Sequence, residues 1–309
     1  MFRRYLSAMT LPTFLIIGAA KAGTTALYQY LDEHPRVYMS PQKETNFFAL
    51  EGEKPAFSGP PGQPVQINHR AITRIEDYGA QFRGRSTETA IGEASPFYLY
   101  SPKAPGRIKS RLQHAKLIAI LRNPADRAYS AFTMMRLNHR EPIASFEAAL
   151  RAEEARIADG WEFIWHYKQQ GFYYPQLKRY YDLFDERQLR IYLTEDLSAS
   201  PMKILRDIFH FLEVDALFVP DISQRHQLSG VPKSKLFHRI LTDDFPLRST
   251  FRNYLPQKFR KRLKNRLISG NLARAPMAPA TRRRLLNLYE EDILRTQELT
   301  GRNLSRWLR

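Results

Sequence analysis

The chain has 309 residues, a net charge of +17 and a sequence pI near 10, and 43% of its residues are hydrophobic. That length and apolar share suffice for a sizeable core, in one large α/β domain or two smaller ones. The chain contains no cysteine, which excludes a disulfide framework and thiol chemistry. The positive charge predicts anionic partners: a nucleotide cofactor, acidic glycans, lipid headgroups or nucleic acid.

Residues 13–31, TFLIIGAAKAGTTALYQYL, predict a buried strand, a turn of small residues and a helix. Backbone N–H groups and the positive end of the helix converge on such a turn, which makes it suited to phosphate. Gly18 and Gly23 have the spacing of a Walker A loop. However, Thr24 stands where that motif has its lysine, and Lys21 lies earlier, which argues against an ordinary NTPase.

The stretch GAAKAGTTAL resembles the 5′-phosphosulfate loop of sulfotransferases that use PAPS (3′-phosphoadenosine 5′-phosphosulfate). It is more similar to the heparan-sulfate-type and bacterial branch than to the cytosolic steroid and phenol branch. The resemblance implies that the loop residues hold the phosphosulfate; these are Lys21, Ala22, Gly23, Thr24 and Thr25. Lys21 would also stabilise charge on the leaving phosphate oxygen. The alternative is a tight strand–helix turn with a surface lysine.

Residues 41–48, PQKETNFF, resemble the KExxFF segment of the same family, which implies that Glu44 is the general base. An acceptor hydroxyl needs a carboxylate or an imidazole to take its proton as sulfur is attacked. Without the loop upstream, Lys43 and Glu44 would be interpreted as a solvated ion pair before two core phenylalanines.

Two further residues are candidates for the base. Glu93 lies in GEASP, which resembles the family's GExSP segment, although the heparan-sulfate enzymes usually have a lysine where this chain has Ala94. His166 is the other candidate, but a lone histidine is more often a structural hydrogen-bonding residue.

Residues 117–121, LIAIL, form a continuous apolar run that fits a central parallel strand. Arg122 follows at the carboxyl edge, where open α/β sheets bind ligands, and Ser130 falls on the next helix. LRNPADRAYSAF resembles the family's 3′-phosphate motif, which implies that Arg122 and Ser130 bind that phosphate. A guanidinium suits a phosphate bidentately, and a hydroxyl adds one donor. The alternative is an arginine at a helix cap and a serine on its surface.

The rest of the chain predicts further α/β elements. We expect a charged amphipathic helix over residues 143–159 with a solvated charged face. A strand over 189–193 and a helix over 201–212 should follow, and the chain should end in a helix within 285–308 with Trp307 as an anchor. The resemblance covers nearly the whole chain. It implies a single domain, residues 1–309, with a mainly parallel, P-loop-like sheet flanked by helices.

Two basic stretches stand out near the end. Residues 228–235, LSGVPKSK, match a basic loop that closes over PAPS in the family, which implies cofactor contacts from Lys233, Ser234 and Lys235. Residues 248–284 contain twelve Lys or Arg and no Asp or Glu, with apolar residues every four positions, which predicts a basic amphipathic helix. Its basic face is either solvated or a platform for an acidic glycan or an anionic membrane.

These motifs predict an enzyme that moves a sulfuryl group from PAPS, releasing PAP, to an acceptor hydroxyl or amine. A glycan or lipid-linked glycan is the expected acceptor. We expect no metal, because no HExxH motif, cysteine pair or carboxylate cluster occurs. One alternative is a kinase or other P-loop NTPase. Another is a non-enzymatic binder of membranes or nucleic acid, although no zinc-finger or RNP1 signature favours specific nucleic-acid binding.

The location is inferred from the start of the chain. Residues 1–20 combine two arginines with apolar residues, but Pro12 and Thr13 interrupt the apolar run, which is too short to span a membrane. We therefore expect a cytoplasmic, bacterial protein, with a peripheral contact to anionic membranes as a further expectation.

Overall fold

The computed structural model describes residues 10–222, 231–232, 272–273 and 276–309. Within them, one sheet of five strands has the order β2-β3-β1-β4-β5, and all its neighbouring strands are parallel. The strands are β1 (Phe14–Gly18), β2 (Val37–Met39), β3 (Ala90–Ala94), β4 (Lys116–Leu121) and β5 (Leu189–Leu193). This confirms the predicted parallel α/β fold.

Helices connect the strands and cover the sheet. In chain order they are α1 (Thr24–Asp32), α2 (Phe47–Leu50), α3 (Ile67–Arg70), α4 (Ile75–Ala80), α5 (Phe97–Tyr100), α6 (Ala104–Arg111), α7 (Pro124–Leu137), α8 (Phe146–Ala158), α9 (Tyr173–Tyr181), α10 (Thr194–Ala199), α11 (Pro201–Leu212) and α12 (Pro279–Thr300). None of the described helices is long and apolar enough to cross a bilayer.

The central strands are buried along their length. Every residue of β1 is buried, as is all of β4 after its first residue. Continuous apolar runs suit strands that helices cover on both faces. Gly92 of β3 lies directly against the Phe14 ring, where a Cβ atom would come within 2.1 Å of Phe14 Cζ. The close contact between β3 and β1 therefore depends on a residue without a side chain.

Helix α8 corrects one expectation. Its charges were expected on a solvated face, but Glu153 and Arg156 are buried. Arg156 pairs with Glu141 at 2.7 Å, and Tyr167 donates a hydrogen bond to the same carboxylate. A buried charge is tolerated because a partner compensates it, and that partner lies on another segment of the chain.

The prediction of a helix through the basic segment 248–284 is wrong at its end. Leu272–Ala273 is instead a short strand that pairs antiparallel with Val231–Pro232, and α12 begins only at Pro279. A proline interrupts a helix because it lacks an N–H and clashes with the preceding turn, and the chain has Pro276 as well. The rest of this segment before 276, and the predicted contacts Lys233, Ser234 and Lys235, lie outside the described residues.

Candidate active site

A cavity of about 440 Å³ lies beside the carboxyl ends of the parallel strands. Its walls come from segments that follow β1, β2 and β3 and from helix α7 after β4. Open α/β sheets bind ligands at this edge. The lining residues with polar or charged side chains include Lys21, Thr24, Thr25, Lys43, Glu44, Arg70, Arg127, Arg140 and Glu162.

The loop between β1 and α1 forms one wall of this cavity. Gly23 precedes α1 with a φ of 109°, a left-handed conformation that glycine adopts at little cost. The hydroxyl of Thr194 shares its proton between the carbonyl oxygens of Ala22 at 2.7 Å and Leu121 at 3.0 Å. The loop is therefore tied to the end of β4, and the Ala22 carbonyl already has a hydrogen-bond donor.

Lys21 extends from this loop across helix α7. Its Nζ lies 3.0 Å from Sδ of Met134, and its backbone φ is 69°. Burial, together with the nearby charge of Arg122, lowers the pKa of Lys21 to about 8, although Glu44 acts in the opposite direction. A half-buried ammonium with a depressed pKa is stabilised by any anion that enters the cavity.

Arg122 and Ser130 lie behind this wall, outside the cavity lining. Arg122 donates from Nη1 to the Lys21 carbonyl at 3.2 Å, and Tyr173 donates its hydroxyl proton to the Arg122 carbonyl at 2.9 Å. Ser130 is only 5% exposed, and its Oγ has no hydrogen-bond partner in the described part of the chain. Buried hydroxyls are rarely left unpaired, so this oxygen fits contact with a ligand phosphate.

Glu44 faces the same cavity as Lys21. Its side chain is 54% exposed and forms an ion pair with Lys43. Its backbone φ is 63°, and its N–H donates to the Ala94 carbonyl at the end of β3 at 2.9 Å. Non-glycine residues in this conformation cost about 1–3 kcal/mol and cluster at functional sites. The main-chain bond to β3 helps to hold the strained residue at the cavity.

The other two candidates for the base do not line the cavity. Glu93 is fully buried and accepts hydrogen bonds from Ser95 at 2.9 Å and Thr45 at 3.2 Å. Burial raises the pKa of Glu93 to about 7. Ser95 in turn accepts from the Asn46 N–H at 3.0 Å, so Glu93 supports the segment that carries Glu44.

His166 is held by hydrogen bonds at both ring nitrogens. Nδ1 lies 3.0 Å from the Tyr100 hydroxyl, and Nε2 lies 3.2 Å from the Trp161 carbonyl oxygen. Burial lowers the pKa of His166 to about 4, so the ring is uncharged at neutral pH. Both nitrogens are engaged in the fold, which leaves none directed at an acceptor.

Other residues of the cavity lining, Phe97, Arg140, Glu162 and Phe163, have no motif to mark them. The rings of Phe97 and Phe163 stack with centroids 3.5 Å apart and an interplanar angle of 5°. Beside them, Arg140 pairs with Glu162 at 2.9 Å. This part of the cavity lining therefore has one apolar surface and one ion pair.

Arg127 also lines the cavity and was not singled out from the sequence. It lies within the RNPADRAYS stretch, four positions before Ala131 and seven before Met134, both of which line the cavity. That spacing puts the three on one helix face, and it is the signal in the sequence that points to Arg127.

Sheet, loop and cavity together define a P-loop-like α/β protein in which a lysine and a glutamate line one cavity at the carboxyl edge of the sheet. The family model described as a sulfotransferase domain matches residues 11–229. The chain belongs to this sulfotransferase family, whose reaction is sulfuryl transfer.

Individual relatives agree with this assignment. The chain is 30% identical over 212 residues to human bifunctional heparan sulfate N-deacetylase/N-sulfotransferase 3, covering 66% of this chain and 22% of that protein. It is 28% identical over 215 residues to the Caenorhabditis briggsae heparan sulfate N-deacetylase/N-sulfotransferase 1, covering 67% and 23%. The chain thus spans about a quarter of the length of these relatives.

A solved structure matches over a larger share of both chains. The crystal structure of a sulfotransferase from Alicyclobacillus acidocaldarius has a TM-score of 0.76 and 32% sequence identity. The match covers 97% of this chain and all of the other.

Proposed function

We propose that this protein transfers a sulfuryl group from PAPS to a hydroxyl or amine of a carbohydrate acceptor. The observation that carries the proposal is the position of Lys21 and Glu44 on one cavity, at the ligand edge of the sheet. One is a cation suited to the donor, and the other is a carboxylate suited to the acceptor. The alternative of a kinase or other NTPase is not favoured by the sulfotransferase family match.

The residues present fit PAPS as the donor. Lys21 and the backbone N–H groups of Gly23, Thr24 and Thr25 would hold the 5′-phosphosulfate at the start of α1. The 3′-phosphate would be held by Arg122 and by Ser130, whose buried hydroxyl has no partner among the described residues. Contacts from Lys233, Ser234 and Lys235 stay predictions.

The reaction needs a proton acceptor and a cation at opposite ends of the transferred group. When bound, PAPS supplies the sulfuryl group: sulfur bonds to the acceptor oxygen or nitrogen as its bond to the 5′-phosphate oxygen breaks, and PAP leaves. Glu44 takes the proton that the acceptor loses. Protonated Lys21 faces the charge that develops on the leaving phosphate oxygen.

The acceptor class rests on the relatives and on the aromatic part of the cavity lining. The printed names of the relatives refer to heparan sulfate N-sulfotransferases, which favours a glycan. The stacked rings of Phe97 and Phe163 add an apolar wall on which a sugar ring can pack. A lipid-linked glycan, a peripheral membrane contact and a cytoplasmic location stay predictions.

Thermal unfolding with three ligands tests the donor. A ligand that binds only the folded state at one hundred times its Kd stabilises the protein by about 2.7 kcal/mol. We expect PAP to raise the unfolding temperature, and ATP with Mg²⁺ or an oligonucleotide to raise it little. Stabilisation by ATP and not by PAP would contradict the proposal. Mass spectrometry of glycan acceptors incubated with labelled PAPS then identifies the product.

A further inference from the structure

Arg127 is a buried cation at the cavity with incomplete hydrogen bonding. The residue is 1% exposed and lines the cavity. Its Nη2 donates to the Tyr167 carbonyl oxygen, whereas its Nε has no partner among the described residues. Buried polar groups are normally satisfied, so an unpaired guanidinium nitrogen calls for an explanation.

Several buried or half-buried arginines of the fold are neutralised by a described carboxylate, whereas Arg122 and Arg127 are not. Arg107, Arg140 and Arg156 each form an ion pair with a glutamate. Arg127 forms no ion pair with any described residue. Glu153 lies near enough to interact electrostatically with Arg127 but forms no ion pair with it. Its oxygens instead accept hydrogen bonds from the N–H groups of residues 168 and 169 at 2.5 and 2.8 Å.

The unpaired charge of Arg127 lies close to two other cations. Arg122 and Arg127 both lower the pKa of Lys21, which places the three charges within electrostatic reach of one another. Burying an uncompensated charge is costly, and like charges add to that cost. An anion at this position would remove the penalty.

A second unpaired group lies on the same helix. Ser130 is three residues after Arg127 in α7, and such residues lie on one helix face. Its Oγ is also buried without a partner in the described part of the chain. Two unsatisfied donors on one helix face, of which Arg127 lines the cavity and Ser130 lies behind it, are an arrangement that an oxyanion can complete.

We propose that Arg127 is a further anion-binding residue of this site, and that its guanidinium contacts a phosphate or sulfate oxygen of the donor. This rests on the proposed function. Its Nε and the Ser130 hydroxyl then obtain an acceptor, and the buried charge obtains its counterion. Arg127 thereby adds a third cation to Lys21 and Arg122.

The test compares Arg127→Met with the same change at Arg179, a half-buried arginine whose Nε atom is buried. Arg179 also has an unpaired Nε, but it donates to the carbonyls of residues 99 and 100 and does not line the cavity. Thermal unfolding of the free proteins and calorimetry with PAP are measured for both variants and the wild type. Unchanged PAP affinity in Arg179→Met shows that losing an arginine with a buried, unpaired Nε does not by itself disturb binding.

We expect Arg127→Met to weaken PAP binding about 10- to 100-fold, the usual loss for a hydrogen bond to a charged group. Its free-state unfolding temperature should not fall, because removing an unpaired buried charge offsets the lost bond to Tyr167. A structural arginine predicts the reverse: a lower unfolding temperature, or no folded protein, which overturns the proposal. Arg127→Lys, which keeps the charge, should bind PAP with intermediate affinity.

Binding measurements with PAP and with PAPS distinguish which group of the donor Arg127 contacts. PAP has both phosphates and lacks the sulfuryl group. Weaker binding of PAP by Arg127→Met assigns the contact to a phosphate, whereas unchanged PAP binding with weaker PAPS binding assigns it to the sulfuryl group. Unchanged affinity for both overturns the inference about Arg127 alone. Failure of the wild type to bind PAP overturns the proposed function itself.

Discussion

Replacing Glu44 by glutamine isolates the proton transfer. The amide keeps the shape of the side chain but does not accept the acceptor's proton. Loss of a positioned general base typically lowers the rate by about 10²- to 10⁴-fold. We therefore expect Glu44→Gln to lower turnover at saturating PAPS by about that factor, measured with any acceptor that the wild type sulfates.

Binding and folding should survive this change. Glu44 is 54% exposed and its ion pair is with Lys43, which is 20% exposed. Exposed ion pairs contribute about 0–1 kcal/mol, so the free energy of unfolding should shift by less than about 1 kcal/mol. PAP affinity should stay near that of the wild type, because the proposed phosphate contacts of Lys21 and Arg122 remain.

Two control variants separate chemistry from structure. Glu93→Gln disturbs a buried carboxylate that accepts from Ser95 and Thr45, which should cost about 1–3 kcal/mol of stability in urea unfolding. His166→Ala removes the contacts to Tyr100 and the Trp161 carbonyl. Both should keep turnover within a few-fold once folded. If Glu44→Gln keeps its turnover while either control loses it, the role of base belongs to that residue.

Three other experiments have defined outcomes. Lys21→Ala and Arg122→Ala should each weaken PAP binding in calorimetry by about 2–4 kcal/mol, and unchanged affinity in both would exclude the donor site. Because the pKa of Lys21 in the free protein is lowered to about 8, PAP affinity should fall about tenfold from pH 7 to 9 as the ammonium deprotonates, and Lys21→Arg should flatten that dependence. If PAP affinity still fell with pH in Lys21→Arg, another group would be responsible. The free energy of unfolding of the free protein should increase as pH rises above 8, because Lys21 has lost its proton in the folded chain while the unfolded chain still holds it. Gly92→Ala should destabilise the protein by about 1–3 kcal/mol in urea unfolding, because the new Cβ atom would clash with the Phe14 ring. Gly106→Ala, in helix α6 with open space around it, should stabilise the protein by about 0.5–1 kcal/mol. Equal effects of the two changes would contradict the packing of β3 on β1.

The main sheet strands and the loop were predictable because their signals are local. Strand β1 and strand β4 after its first residue are short apolar runs, which indicate burial wherever they occur. The spacing of Gly18, Lys21 and Gly23 marks a turn before a helix. Glu44 was singled out from a resemblance, and the structure places it on the cavity lining; its role as the base stays a prediction.

Features that depend on distant partners were not predictable. Strand β3 contains a glycine and a glutamate, and it is a strand because β1 and β2 pair with it. The buried charges of α8 depend on a glutamate outside the helix. In the sequence, Arg127 does not differ from other charged helix residues. That its buried Nε lacks a hydrogen-bond partner among the described residues can be seen only once the neighbouring segments are in place.

The hydroxyl of Thr194 has a kinetic consequence. By fastening the Ala22 carbonyl to the end of β4, it fixes the loop before a ligand arrives, so the conformational entropy of the loop is lost during folding and not during binding. The loop between β1 and α1 should then add no slow rearrangement of its own to association with a nucleotide anion, so the initial binding rate should be proportional to the anion concentration. A net charge of +17 should accelerate that encounter at low ionic strength and lose its influence as salt is added.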